Sequence, residues 1–169
     1  MTSDPSAKTN TPLGFAQHDH TTCVSESLEE AEKWCIRNGL QLTPTRRKVL
    51  EVLLQEHRAL GAYKILDKLR EANLSSQPTI AYRALDFLVS NGFVHKIERL
   101  NAFIACVHPG ETHAPAFMIC RLCDSVAETH SSPAKGILGE TARSIGFQIE
   151  RTVVEAEGIC PKCSDVANV

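Results

Sequence analysis

Two Cys-x-x-Cys pairs constrain the fold of this 169-residue chain more than any other feature of its sequence. The pairs are Cys120/Cys123 and Cys160/Cys163, with 36 residues between them. Four cysteines in this pattern can close a tetrahedral Zn²⁺ site, which stabilises the segments that it joins. Because the spacer is longer than the roughly 15–20 residues of a simple zinc ribbon, we expect the metal to hold together the two ends of a small domain.

Thiol exchange is the other chemistry that a Cys-x-x-Cys pair serves. Such a pair is expected once, at the start of a helix that follows a strand, so two pairs favour structural zinc. The sequence also lacks a basic region followed by an apolar core at its N-terminus, and no apolar run approaches the roughly 20 residues of a membrane span. Seven cysteines in this setting indicate a cytoplasmic metal-binding protein and not a disulfide framework.

A second group of metal-binding residue types flanks the first pair. Cys106, His113 and Glu128 fall within 23 residues, and His95 lies a little upstream. One thiolate, two imidazoles and one carboxylate suit Zn²⁺ and suit Mg²⁺ or Ca²⁺ badly. A metal bound by all four would fix the angle between two domains. The alternative, which spacing alone leaves open, is that His95 and Cys106 are ordinary strand residues and Glu128 is solvated.

Residues 1–24 are rich in Ser, Thr, Pro and Asp, and they predict a flexible leader. His18, His20 and Cys23 in this leader could bind a metal weakly, but a mobile tail with incidental ligands is the preferred interpretation because loose ligands must be ordered on binding. Residues 24–106 carry twelve Lys/Arg against ten Asp/Glu, and the rest of the chain is net acidic. The sign of this asymmetry fits DNA contact by the first half.

Residues 25–106 have the element order of a winged-helix DNA-binding domain. Apolar periodicity and start signals predict helices that begin near Ser25, Thr43, Gly61 and Gln77. Two runs rich in Val, Ile and Phe around residues 100–101 then predict a hairpin. In this fold the last helix enters the major groove and the hairpin lies along the DNA backbone.

Candidate DNA contacts follow from this placement. The fourth helix is predicted to bury a face formed by Tyr82, Leu85, Leu88 and Val89. Thr79, Ala81 and Arg83 are predicted to point away from this face, at the end that meets base edges. For the basic run that opens the second helix, solvated charge is as good an interpretation as phosphate contact. The full set of candidates is Thr79, Arg83, Tyr63, Arg46 and Arg47.

Residues 107–114 are predicted to be a hinge, because the stretch VHPGETHAP (residues 107–115), with two prolines and a glycine, interrupts the pattern. Residues 115–169 then predict a small α/β domain with strands at AFMIC and SVAET, a helix over SPAKGILGETARSIG and a long strand over FQIERTVVEAEG. A domain of this size usually needs a metal, disulfides or a partner chain. We expect a zinc-clipped dimerisation domain, and hence an α+β protein of two domains.

The segment PTIAYRALDFLVSNGFVHK, the stretch from Cys106 to His113 and both cysteine pairs resemble the ferric uptake regulator family, and within it the zinc uptake regulator branch. The iron branch usually carries a His-His-Asp-His run where this chain has CVHPGETH. The resemblance implies a dimeric winged-helix repressor that binds palindromic operator DNA when loaded with metal. It implies structural zinc at Cys120, Cys123, Cys160 and Cys163, regulatory zinc at His95, Cys106, His113 and Glu128, and DNA contacts at Tyr63 and Arg83.

The sequence therefore predicts a zinc-responsive repressor of zinc-uptake genes, with two Zn²⁺ per chain and no enzymatic activity. The alternative within the family is a regulator that senses iron, manganese or peroxide. Two other classes fit less well. A zinc hydrolase needs an open coordination position and a general base, and no His-Glu-x-x-His motif is present. A thiol-based redox sensor would regain DNA binding with reductant alone.

Overall fold

The computed structural model describes residues 21–56, 58–107, 109, 114–131 and 135–167. His18, His20, His113 and the side chain of Cys23 lie outside this description. The elements, in chain order, are α1 (Thr21–Arg37), α2 (Pro44–Leu54), β1 (Leu60–Gly61), α3 (Ala62–Glu71), α4 (Pro78–Ser90), β2 (Val94–Ile97), β3 (Ala102–Ala105), β4 (Ala114–Cys120), β5 (Val126–Ser131), α5 (Ile137–Ser144), β6 (Val154–Gly158) and α6 (Pro161–Ala167). The α+β prediction is confirmed. No helix in the described residues is long and apolar enough to cross a membrane.

Four helices and one face of a hairpin form the helical core of the first half. Thr43 caps α2 by accepting a hydrogen bond from the backbone N–H of Arg46, and Pro44 occupies the first turn, where its missing N–H costs nothing. The first helix starts at Thr21, earlier than the predicted Ser25. Its buried residues Val24, Leu28, Ala31 and Cys35 extend the apolar stripe back by one turn. Part of the predicted leader is therefore helical.

The predicted buried face of α4 is correct at Leu85 and Leu88 but wrong at Tyr82 and Ala81. Its buried residues are Ala81, Ala84, Leu85 and Leu88, whereas Tyr82 is 47% exposed. Residues at i, i+3, i+4 and i+7 share one helix face, and consecutive residues are about 100° apart. Two alanines complete that face, and their small size hid it from an interpretation that gave weight to the larger tyrosine.

The wing hairpin (residues 94–105) consists of β2, β3 and the wing turn (residues 98–101), and β1 adds a third strand in the order β1-β3-β2. Val94, Phe103 and Ala105 join the helical core. Ile97 and Ile104 belong to a separate apolar cluster that includes residues of the second half. Both faces of the hairpin are therefore covered by protein, which explains why all four residues of β3 are buried.

The second sheet has the strand order β5-β4-β6, with β4 antiparallel to β5 and parallel to β6. The predicted strand over residues 147–158 is wrong in its first seven residues, because β4 pairs only Ala116–Cys120 with Val154–Gly158. Helix α5 is also shorter than the helix predicted over SPAKGILGETARSIG. The backbone of Gly136 is extended, so the helix begins at Ile137. The boundaries of the hinge stay a prediction because most of residues 107–114 lie outside the described residues.

Candidate metal centres and DNA-facing residues

The four Cys-x-x-Cys thiols lie together, and we call them the thiolate cluster: Cys120, Cys123, Cys160 and Cys163. All four sulfur atoms lie within 4.8 Å of one another. Parallel pairing of β4 with β6 brings Cys120 next to Gly158, so the segments that follow both strands meet at one end of the sheet. Four sulfur ligands at these separations suit a tetrahedral Zn²⁺. The cluster thus joins the two ends of the second half, as the spacing predicted.

Hydrogen bonds shift the pKa values of these thiols in different directions. The backbone N–H of Cys160 donates to the Cys120 sulfur at 3.4 Å, and it is the main cause that lowers the pKa of Cys120 to about 6. The Ser125 hydroxyl lies 3.1 Å from the Cys123 sulfur and lowers the pKa of that thiol. Hydrogen bonds with Cys160 and Cys123 raise the pKa of Cys163 to about 12. The arrangement stabilises thiolates at Cys120 and Cys123, and a bound cation would displace the remaining protons.

A second group, the mixed cluster, consists of His95, Cys106 and Glu128. Their ligand atoms also lie within 4.8 Å of one another. The Nε2 atom of His95 is 3.2 Å from Glu128 Oε1, and Cys106 Sγ is 3.9 Å from the same oxygen. His113, the fourth predicted ligand, lies outside the described residues. A thiol, an imidazole and a carboxyl group converge, and this donor set suits Zn²⁺.

The mixed cluster draws its ligands from both sheets. His95 is paired with Ile104 in the wing hairpin, and Cys106 follows β3, where its N–H donates to the Phe93 carbonyl at 2.9 Å. Glu128 comes from β5 in the second sheet and is only 8% exposed. The Val107 N–H donates to its Oε2 at 3.0 Å. Because a buried carboxylate is costly unless it is paired, these contacts hold Glu128 against the first half.

The predicted DNA contacts differ in their availability. Thr79 and Arg83 are exposed on α4, and Tyr63 is 82% exposed at the start of α3. By contrast, the Arg46 guanidinium lies 3.6 Å from the centre of the Phe87 ring and donates to the Gln41 carbonyl at 2.7 Å. Arg47 forms an ion pair with Glu32 at 2.7 Å. Both of these arginines already contact other residues of the chain, which makes Arg83 the stronger candidate.

Three residues with a bearing on these sites were missed by the sequence analysis. Ser125 supports the Cys123 sulfur, and its position two residues after a Cys-x-x-Cys pair was an available signal. Phe117 packs against the His95 imidazole with 5.4 Å between ring centroids. Tyr82 is exposed beside Arg83. Phe117 carried no local signal, because it meets His95 only through tertiary packing, whereas Tyr82 was predicted to be buried.

Comparison with known proteins identifies the family of this chain. A model of the ferric uptake regulator family matches residues 37–157. The zinc uptake regulation protein of Escherichia coli (strain K12) is 39% identical over 146 residues, which cover 86% of this chain and 85% of the relative.

Solved structures agree with this match. A zinc uptake regulator complexed with zinc and DNA is 38% identical to this chain, with a TM-score of 0.82 over 86% of this chain and 98% of that one. The holo form of XcZur is 40% identical, with a TM-score of 0.74 over 83% of this chain and 98% of that one. The Helicobacter pylori ferric uptake regulator, at 19% identity and a TM-score of 0.53 over 83% of this chain and 93% of that one, shares the fold. The chain belongs to the ferric uptake regulator family.

Proposed function

We propose that this protein is a zinc-responsive transcriptional repressor that binds palindromic operator DNA as a metal-loaded dimer and silences zinc-uptake genes. The observation that carries the proposal is the mixed cluster, in which two ligands from the winged-helix half meet a buried carboxylate from the second sheet. A cation held there links the orientation of the DNA-reading helix to metal concentration. The relatives named for zinc uptake support zinc as the signal.

The two clusters take different roles in this proposal. The thiolate cluster holds one structural Zn²⁺ that keeps the second half folded, because all four ligands come from that half. The mixed cluster, completed by His113, holds one regulatory Zn²⁺ by His95, Cys106 and Glu128. The proposal therefore requires two Zn²⁺ per chain, of which the regulatory one exchanges more readily.

DNA reading falls to the exposed side chains of α4. Arg83 and Thr79 reach base edges in the major groove, and Tyr63 at the start of α3 contacts the backbone or a thymine methyl group. Arg46 and Arg47 take a secondary part, since each already has a partner within the fold. Two copies related by a twofold axis then bind half-sites about one helical turn apart, roughly 34–36 Å.

The dimer surface is assigned to α5 and the loop that follows it. Ile137 is 83% exposed, Ile145 is 73% exposed and Phe147 is 63% exposed. Large apolar side chains at this exposure indicate an interaction surface, and Ile145 and Phe147 line one groove of it. A second copy of the chain is the proposed occupant, because family resemblance and the need to read two half-sites both call for a twofold dimer.

The proposed role is regulatory and not enzymatic, because this is a family of transcription regulators. We expect the protein to act in the cytoplasm, as its regulator relatives suggest. The alternative is a regulator that senses iron, manganese or peroxide. The Cys106 thiolate argues against iron and manganese, since soft sulfur ligands favour zinc over harder cations.

The test is a binding titration with a DNA duplex selected from a random library by the zinc-loaded protein. Fluorescence anisotropy measures the dissociation constant (Kd) as buffered Zn²⁺, Mn²⁺ or anaerobic Fe²⁺ is raised, and again after peroxide treatment. The proposal expects Zn²⁺ alone to tighten binding by 100-fold or more (about 2.7 kcal/mol). Tighter binding with Fe²⁺ or Mn²⁺ than with Zn²⁺, or control by peroxide alone, would move the protein to the alternative.

A further inference from the structure

A group of contacts away from both cysteine clusters joins the wing turn to the second sheet. Glu155 on β6 accepts hydrogen bonds from the backbone N–H groups of Glu98, at 2.7 Å, and Arg99, at 3.1 Å. Each of its two carboxylate oxygens takes one of these bonds. The guanidinium of Arg99 forms an ion pair with Glu157 on the same strand. Two carboxylates of β6 therefore bind two consecutive residues of the wing turn.

Strand register places these carboxylates on the same face of the sheet as the mixed cluster. Phe117 on β4 pairs with Glu128 on β5 and with Glu155 on β6. Residues that pair across a sheet point to the same face, as do residues two apart along a strand. Glu128 at one edge and Glu155 and Glu157 at the other thus all face the wing hairpin.

Apolar packing fills the space between the two edges. Ile97 and Ile104 of the wing hairpin pack with Phe117, Ile119 and Val126 of the second sheet, and all five are buried. The hairpin is therefore attached to the sheet along its length, with His95 at one end and the wing turn at the other. Contact at two separated points fixes an orientation that one contact would leave free to rotate.

The strand that carries the two carboxylates leads directly into the thiolate cluster. The Arg121 N–H donates to the Gly158 carbonyl at 2.9 Å, and Cys160 follows two residues later. Structural zinc at Cys160 would thus hold the end of β6 in register with β4. The wing contacts do not use a metal ligand themselves.

We infer that Glu155 and Glu157 are positioning residues for DNA binding, which clamp the wing turn to the second sheet and hold the winged helix in its DNA-binding orientation. The inference rests on the proposed function. With these contacts in place, the chain is similar in structure to a zinc uptake regulator bound to zinc and DNA. Regulatory zinc closes the His95 end of the hairpin, and the carboxylate clamp closes the wing-turn end. The clamp needs no metal, so it stabilises the DNA-binding orientation even before zinc binds. Zinc binding then has a smaller free-energy difference between the two orientations to overcome.

The first test compares Glu155→Ala with Glu150→Ala, which removes an exposed carboxylate from the loop before the same strand. At saturating Zn²⁺, Glu155→Ala is expected to raise the Kd for selected DNA about 10-fold, through two lost charge-assisted hydrogen bonds at an exposed site. Zinc content and dimer mass should stay at wild-type values in both variants. Wild-type affinity in Glu155→Ala would overturn the inference.

Amide hydrogen exchange provides a readout that a general loss of stability would not reproduce. In Glu155→Ala the amides of Glu98 and Arg99 should exchange faster, while amides of α4 and of the helical core keep their wild-type rates. Faster exchange throughout the chain would show that Glu155 supports the fold as a whole, and this would overturn a positioning role. The measurement needs no DNA. It therefore tests whether Glu155 holds the wing turn even if the protein does not bind DNA in a zinc-dependent way.

The ion pair is tested by exchange of its charges. Arg99→Glu and Glu157→Arg should each weaken DNA binding about threefold, since a half-exposed pair contributes little. The double variant should regain most of the loss if the pair itself matters. Without such recovery, Arg99 acts on DNA directly and Glu157 has no part in the clamp. Failure of zinc-dependent binding in the wild-type protein would instead reject the proposed function.

Discussion

The thiolate cluster and the mixed cluster differ in which parts of the chain supply their side chains. All ligands of the thiolate cluster come from residues 120–163, at one end of the second sheet. The mixed cluster takes His95 and Cys106 from the wing side and Glu128 from the second sheet. A metal whose ligands share one unit stabilises that unit, whereas a metal whose ligands come from two units stabilises one arrangement of them. The same ion can therefore serve as a structural brace at one site and as a signal at the other.

The largest effect is expected at the thiolate cluster. Cys160→Ser removes a ligand from a site of a kind that contributes about 10–16 kcal/mol of apparent binding free energy. The second half should then lose its zinc, its folded structure and the dimer surface. Elemental analysis for zinc, together with sedimentation, measures these losses. A Cys160→Ser protein that remains a zinc-loaded dimer would show that this cluster is not a structural site.

The next largest effect is expected from a substitution in the mixed cluster, which should leave the protein folded. Cys106→Ser is expected to abolish zinc-dependent DNA binding, a loss of 100-fold or more (about 2.7 kcal/mol), while the dimer and one zinc per chain remain. Cys35→Ser is the matched control, because Cys35 is equally buried but belongs to neither cluster. Anisotropy measurements against zinc concentration distinguish the two. Full zinc-dependent binding by Cys106→Ser would remove the proposed regulatory site.

A substitution at Arg83 tests DNA binding without affecting the metal sites. Arg83→Ala should keep both zinc ions and raise the Kd for DNA by an amount that corresponds to about 1–3 kcal/mol. Arg46→Ala removes the same charge at a side chain that is packed on Phe87, so it should mainly lower the thermal unfolding temperature. Binding and thermal unfolding measured on both variants test this difference. Equal losses of DNA affinity would mean that Arg46 contacts DNA as well.

The smallest effect is expected from the hydroxyl beside the thiolate cluster. Ser125→Ala removes the group 3.1 Å from the Cys123 sulfur and should weaken structural zinc by about 10-fold, the lower end of what such supporting contacts contribute. Zinc competition with a chromogenic chelator measures the change. The regulatory zinc should keep its affinity. A selective loss at the mixed cluster would reverse the assignment of the two sites.

The sequence was most informative where chemistry depends on spacing. Two Cys-x-x-Cys pairs predicted a cluster at the ends of a small domain, and the structure brings the four sulfurs together. Spacing alone left the mixed cluster undecided, since His95 and Glu128 approach only when the wing hairpin packs on the second sheet. Residue types and spacing named four candidate ligands, and the resemblance to a known family favoured that interpretation over ordinary strand residues.

Other features required tertiary information. The pattern of α4 underrated Ala81 because alanine carries a weak apolar signal, although Ala81 is fully buried. The strand predicted over residues 147–158 was too long because a strand extends only as far as its partner pairs with it. The contact of Glu155 with Glu98 joins residues 57 positions apart. No local pattern encodes a carboxylate that accepts from a backbone so distant in sequence.

One measurement tests the division between the two clusters most directly. Zinc per chain, dimer mass and DNA affinity are determined before and after dialysis against a mild chelator. The account predicts that two zinc ions fall to one, that the dimer persists, and that DNA binding is lost and then restored by Zn²⁺ alone. A single zinc ion throughout, with DNA binding unchanged by the chelator, would contradict a regulatory site formed by the mixed cluster.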